Sequence, residues 1–148
     1  MTVRAAEIGD AAVIAPLHHD AFADSPWDTA YWQNLLSRRT TLAMVAEREN
    51  RLAAFCVFQI IADEAEVLTI GVAADQRRHG LGRALFSSMI EAARAREVGH
   101  IFLEVATDNE PARRLYDEFN FVPLRERRDY YARGRHAVQM GLSLGSTF

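Results

Sequence analysis

The sequence predicts an α/β fold on a mixed sheet, because the apolar period along its 148 residues switches repeatedly between helix-like and strand-like. Two further observations narrow the class. Strand-like runs at 41–47, 52–61 and 65–72 follow one another without an intervening helix, the first two joined by a short Arg48-Glu49-Asn50 loop that suits a hairpin. The length is near the commonest size of one domain, with no repeat, low-complexity tract or linker, so a single core is expected to serve the whole chain, residues 1–148.

The elements are expected in the following order. A strand at 2–6 precedes a helix at 10–22 that turns Val13, Ile14 and Leu17 to one side. Ser25-Pro26-Trp27-Asp28 interrupts helicity. Asp28 then caps a second helix to Arg38 that buries Trp32, Leu35 and Leu36. After the three strands, a helix from Leu81 to near Gly99 carries Leu81, Ala84, Leu85, Ser88, Met89 and Ala92 on one stripe. A buried strand at 100–106 leads to a helix at 109–119 with Ala112, Leu115, Tyr116 and Phe119 on one side. Pro111 fits its first turn and Asn120, tolerant of left-handed geometry, ends it. Strands at 121–124 and 137–144 complete the chain, joined by a long polar loop containing Tyr130, Tyr131 and Gly134.

Composition excludes several functions. A net charge of -3 and a pI near 5.9 give no basic footprint for nucleic acid. No apolar run approaches bilayer length, and no basic segment followed by an apolar core opens the chain, so no membrane role is expected and the reading is cytoplasmic. Cys56 is the only cysteine, which rules out an internal disulfide or multi-cysteine zinc site. The five histidines form no recognised ligand spacing, so no metal is expected.

One local pattern points to chemistry. The strand ending Ile70-Gly71-Val72 runs through a short connection to Arg77-Arg78-His79-Gly80-Leu81-Gly82-Arg83 and directly into the long helix. Glycines at 80 and 82 allow close backbone approach, and the free N–H groups and macrodipole of the helix start favour an anion. Arg77, Arg78 and Arg83 add full charges. A Walker loop lacks its Gly-Lys-Ser/Thr, and a dinucleotide fingerprint would place glycine where Leu85 stands.

Arg-x-x-Gly-x-Gly at 77–82 resembles the coenzyme-A loop of the GNAT family of N-acetyltransferases. Over nearly its whole length the chain resembles the bacterial branch that acetylates the N-terminal alanine of ribosomal proteins. The matching landmarks are Phe22 to Trp27, Asp63-Glu64-Ala65, Gly80 to Leu85, Leu103-Glu104-Val105, Asn109, Leu115-Tyr116, Phe119-Asn120-Phe121 and Arg128 to Tyr131. Asn120 and Asp129 depart from the family's usual Gly and Asn.

The resemblance implies a central, mostly antiparallel mixed sheet flanked by about four helices, acetyl-CoA as cosubstrate, and a monomer or weak homodimer. It implies Glu104 as general base and Tyr116 as the acid that protonates the coenzyme-A thiolate. It places the pantetheine arm and the polarising N–H along Ile70, Gly71 and Val72, the pyrophosphate at Arg77 to Arg83, and Asn109 against the coenzyme. Trp27, Tyr130 and Tyr131 would flank an N-terminal peptide. Plainer readings stand beside these. Glu104 alternates with Leu103 and Val105 as an exposed-face residue would, the Tyr116 ring belongs to an apolar stripe, and Asn109 is a good helix cap. Trp27 and one tyrosine could simply pack.

Direct attack in a ternary complex is expected, since Cys56 lies in an apolar run with no adjacent histidine. The acceptor is expected to be a protein N-terminus, with the alanine of a small-subunit ribosomal protein foremost. The alternatives are a lysine side chain, a small-molecule amine, or a non-catalytic acetyl-CoA sensor. No acidic cluster suited to a small-molecule pocket is evident in the sequence.

Overall fold

Two helices cover each side of a seven-stranded sheet, and each side has its own apolar cluster. The computed structural model describes residues 1–145, with side chains for all of these but 129–132. The elements are β1 (Thr2–Ala5), α1 (Ala11–Ala21), α2 (Thr29–Ser37), β2 (Thr41–Arg48), β3 (Arg51–Ile61) and β4 (Glu64–Val72), followed by α3 (Leu81–Ala95), β5 (His100–Ala106), α4 (Glu110–Glu118), β6 (Val122–Ala132) and β7 (Arg135–Ser143). The strand order is β1-β2-β3-β4-β5-β7-β6. Only β4 and β5 run parallel, because α3 carries the chain across between them.

The larger cluster joins α3 and α4 to one face, with Leu81, Leu85, Phe86 and Met89 against Phe58, Ile101, Leu103 and Met140. The smaller joins α1 and α2 to the other, with Ile14, Trp32 and Leu35 against Val45, Phe55 and Val57. Asp28 caps α2 as expected, its Oδ1 accepting from the Tyr31 N–H at 2.8 Å. The Glu49-Asn50 turn has positive φ at both residues, the geometry whose twist matches a hairpin.

Four expectations need correction. Val13 is exposed, and the buried face of α1 is Ala11, Ile14, Ala15 and His18. The α3 stripe is rotated toward Phe86, Ile90 and Ala93, because the larger side chains take the centre and leave Ala84, Ser88 and Ala92 at its flank. The same helix stops at Ala95, where Glu97 enters a left-handed conformation. Finally, the chain at 125–132 is strand rather than loop. β6 continues to Ala132, which faces Arg135 across a tight turn in which Gly134 has φ +81°.

Gly71 is required by packing. A Cβ there would come within 2.5 Å of Phe55 Cζ, and Phe55 is locked between Trp32 and His18. Gly71→Ala is expected to destabilise the fold by about 1–3 kcal/mol, read as a lower midpoint in denaturant.

Candidate functional site

The sheet opens in its middle. β4 and β5 pair only at Glu64 with His100, Ala65 with Ile101 and Glu66 with Phe102. Beyond that point β4 keeps its partner β3 and β5 keeps β7, but the two strands no longer pair with each other. The cause is visible in the β3–β4 register. Phe58 faces Val67 and Val57 faces Thr69, so Leu68 is an extra residue that bends β4 away. The gap is a cleft of about 750 Å³ lined by Val67 to Ile70, Leu103 to Ala106, the α1–α2 loop and the start of α4. A backbone edge without a neighbouring strand leaves donors and acceptors for a ligand.

Glu104 and Tyr116 both line this cleft, from opposite faces. Leu103 and Val105 belong to the α3/α4 cluster, so Glu104 must project to the α1/α2 face. Tyr116 lies in the α3/α4 cluster with its ring against Phe86 and Phe121, and is buried. Glu104 is not a plain surface residue, since its side chain is only 15% exposed and faces Arg127 Nε at 3.0 Å from Oε1. Its buried Oε2 has no hydrogen-bond partner among the described residues. Burial raises the pKa of its carboxyl, against the pull of Arg127 and Arg125, with Glu66 adding to the rise. A carboxylate of raised basicity, with one oxygen uncommitted, suits a general base.

The α1–α2 loop forms the opposite wall. Trp27 packs and lines the cleft at once. It stacks on His18 at 4.6 Å between ring centroids, and its backbone N–H donates to His18 Nδ1 at 3.0 Å. His18 also stacks on Phe22 and is buried, so it locks the loop onto the helix that carries it. No local sequence pattern marks His18 for this part, because its contacts come from across a loop. Burial lowers its pKa to about 4, below the ordinary 6.5. The unfolded chain therefore takes up a proton first as pH falls. Stability held above pH 6.5 should be lost on the way toward 4, and His18→Phe should flatten that fall in a thermal melt followed against pH.

At the turn, Gly80 is left-handed with φ +75° and opens α3 without a side-chain cap. The first-turn amides are thus left for a ligand, as in an anion-binding helix start. Arg77, Arg78, His79 and Gly80 are exposed around it. Leu81 is core, so only its backbone can face the turn. A Cβ on Gly82 would meet Val72 Cγ2 at an ordinary 3.5 Å. Arg77 Nε donates to the Val72 carbonyl at 3.3 Å, and Arg83 is held by Glu118 and lies over the Phe119 ring. Both arginines therefore have protein partners beside the turn. Asn109 is the cap of α4, its Oδ1 accepting from the Ala112 N–H at 3.3 Å, and it also lines the cleft. Tyr130 and Tyr131 belong to the far end of β6, and their side chains lie outside the described residues.

Carboxylates gather here in a way the sequence did not reveal. Asp20 and Asp24 line the cleft. Glu64 and Glu66 share an adjoining groove of about 380 Å³ with Glu104, Arg127, Gln59 and Gln139. They come from separate elements, and only the topology joins them. Such a wall attracts a protonated amine. Cys56 is fully buried, and burial pushes its thiol far above the usual range, which makes it a poor nucleophile. Among the described residues no group of three or more His, Cys, Asp or Glu is arranged to hold a metal, and no helix is long and apolar enough to cross a membrane.

A split parallel pair with a half-buried carboxylate on one face and a glycine turn at its mouth suits acyl transfer from a thioester. Residues 12–121 match the acetyltransferase (GNAT) family, and the chain belongs to it. The ribosomal protein bS18-alanine N-acetyltransferase of Salmonella typhimurium is 36% identical over 107 residues, which are 72% of this chain and 71% of that one. The crystal structure of the ribosomal-protein-S18-alanine N-acetyltransferase from Escherichia coli matches with a TM-score of 0.90 at 29% identity, covering 99% of this chain and 96% of that chain. A Salmonella typhimurium protein solved with its cofactor acetyl-CoA has the same fold, with a TM-score of 0.87 at 20% identity over 99% of this chain and 95% of that one. The protein is an N-acetyltransferase with the mixed, mostly antiparallel sheet and four helices of that family.

Proposed function

We propose that the 148 residues form one catalytic domain that acetylates the α-amine of a protein N-terminus, foremost the N-terminal alanine of a small-subunit ribosomal protein, in the cytoplasm. The observation that carries this is the placement of Glu104. Its half-buried carboxylate stands in the wall of the split, on the same face as the Trp27 loop. The names of the relatives point the same way.

Acetyl-CoA supplies the activated acetyl thioester, and the residues present fit it. The unpaired edge of β4 offers backbone groups to its arm, and the uncapped start of α3 offers amides to its pyrophosphate. Glu104 takes a proton from the attacking amine, directly or through a water, as the new C–N bond forms. A β4 amide between Ile70 and Val72 donates to the carbonyl oxygen whose charge grows. The Tyr116 hydroxyl gives its proton to the sulfur as the C–S bond breaks.

An α-amine suits this base. Its ordinary pKa of about 7.7–8, against about 10.4 for lysine, makes deprotonation at neutral pH easier by roughly 3.5 kcal/mol. The acidic wall also gives the small-molecule reading a footing, so the test must separate the two. With acetyl-CoA and a peptide bearing both a free N-terminal alanine and an internal lysine, fragmentation mass spectrometry should place one acetyl group on the α-amine. A peptide with a blocked terminus should stay unmodified. Acetylation of the lysine, or preference for a small amine, would contradict the proposal.

A further inference from the structure

Thr69 is 7% exposed, and its Oγ1 is buried without a hydrogen-bond partner among the described residues. A buried hydroxyl left unsatisfied is unfavourable and rare. Replacing the side chain with an apolar one of the same shape would remove that burden, so the hydroxyl calls for a reason.

Its position supplies one. Thr69 lines the cleft. Gly71, two residues on, would point a Cβ at Phe55 in the α1/α2 cluster, so Thr69 faces that side too. This is the face on which Glu104 projects. The depth also agrees. Glu66 and Phe102 are the last pair between the two strands, and Glu104 lies two residues past Phe102. Thr69 lies three residues past Glu66, but the bulge at Leu68 absorbs one of them. The two side chains therefore stand level across the split, one on each wall.

We infer that Thr69 is a substrate-positioning residue, whose hydroxyl donates a hydrogen bond to the backbone carbonyl of the acceptor's first residue while Glu104 holds its amine. The amine and that carbonyl are separated only by the Cα, so two groups facing each other across the gap can engage both. This rests on the peptide reading above and goes beyond it by naming the group that recognises the carbonyl. The bulge then has two effects, opening the sheet and bringing Thr69 into register with the base.

The test uses Thr69→Val and Thr69→Ser with acetyl-CoA and a peptide carrying a free N-terminal alanine. Thr69→Val should raise the peptide KM about three- to tenfold while kcat and the acetyl-CoA KM stay within about twofold, and Thr69→Ser should restore it. Thr69→Val should also melt about 2 °C or more above the wild type. With a peptide whose first carbonyl is reduced to a methylene, wild type and Thr69→Val should be equally poor. An unchanged peptide KM, an equal loss in Thr69→Ser, a lower melting point for Thr69→Val, or persistent sensitivity with the reduced peptide would each overturn the inference. If the wild type acetylates no peptide terminus, the functional reading itself fails, and that is seen before any variant is made.

Discussion

Glu104→Gln is expected to fold normally, bind acetyl-CoA as the wild type does, and lose about a hundredfold or more of kcat, since glutamine keeps the shape and cannot accept the amine's proton. The pH profile carries the sharper signature. Burial raises the Glu104 carboxyl above the usual range, so the acid limb of kcat/KM should lie above that of an ordinary glutamate. Arg127 opposes the rise, and Arg127→Met should move the limb to still higher pH. Glu104→Gln should abolish the limb in whatever activity remains. If kcat is unaffected by Glu104→Gln, the carboxylate is only the ion-pair partner of Arg127.

The second large effect concerns the turn. Gly80 is left-handed, with open space where its Cβ would go. Gly80→Val should cost about 1–2 kcal/mol of stability from the backbone alone and place methyl groups beside the first-turn amides proposed to hold the pyrophosphate. Acetyl-CoA should bind at least about tenfold more weakly, or about 1.4 kcal/mol. Gly134→Val is the control, because it too is left-handed with open space and sits at the β6–β7 turn. It should lose comparable stability and keep acetyl-CoA affinity. Equal affinity in both variants would move the phosphate site elsewhere.

Much of this was legible in the residues. The Asp28 cap, the Glu49-Asn50 turn, the strand carrying Glu104 and the turn at Gly80 all follow from local chemistry, and each stands where it was expected. What was missed depends on pairing between distant segments. The Leu68 bulge exists only relative to β3, so neither the split nor the match between Thr69 and Glu104 can be read from β4 alone. The continuation of β6 beyond Leu124 is hidden in the sequence because Arg125-Glu126-Arg127-Arg128 shows no alternation, as suits an edge strand protected by charge. The acidic wall draws on α1, β4 and β5, and no window of sequence contains it. The part His18 plays depends on the loop beyond it, whose Trp27 folds back onto the ring, and the helix sequence alone does not contain that contact.

The most direct test of the account is a calorimetric titration of acetyl-CoA into the folded protein at physiological salt. One-to-one binding is expected, with a negative heat-capacity change as the arm enters the split, and with affinity lost in Gly80→Val and kept in Glu104→Gln. No saturable heat at any temperature, or the same affinity in Gly80→Val, would contradict it.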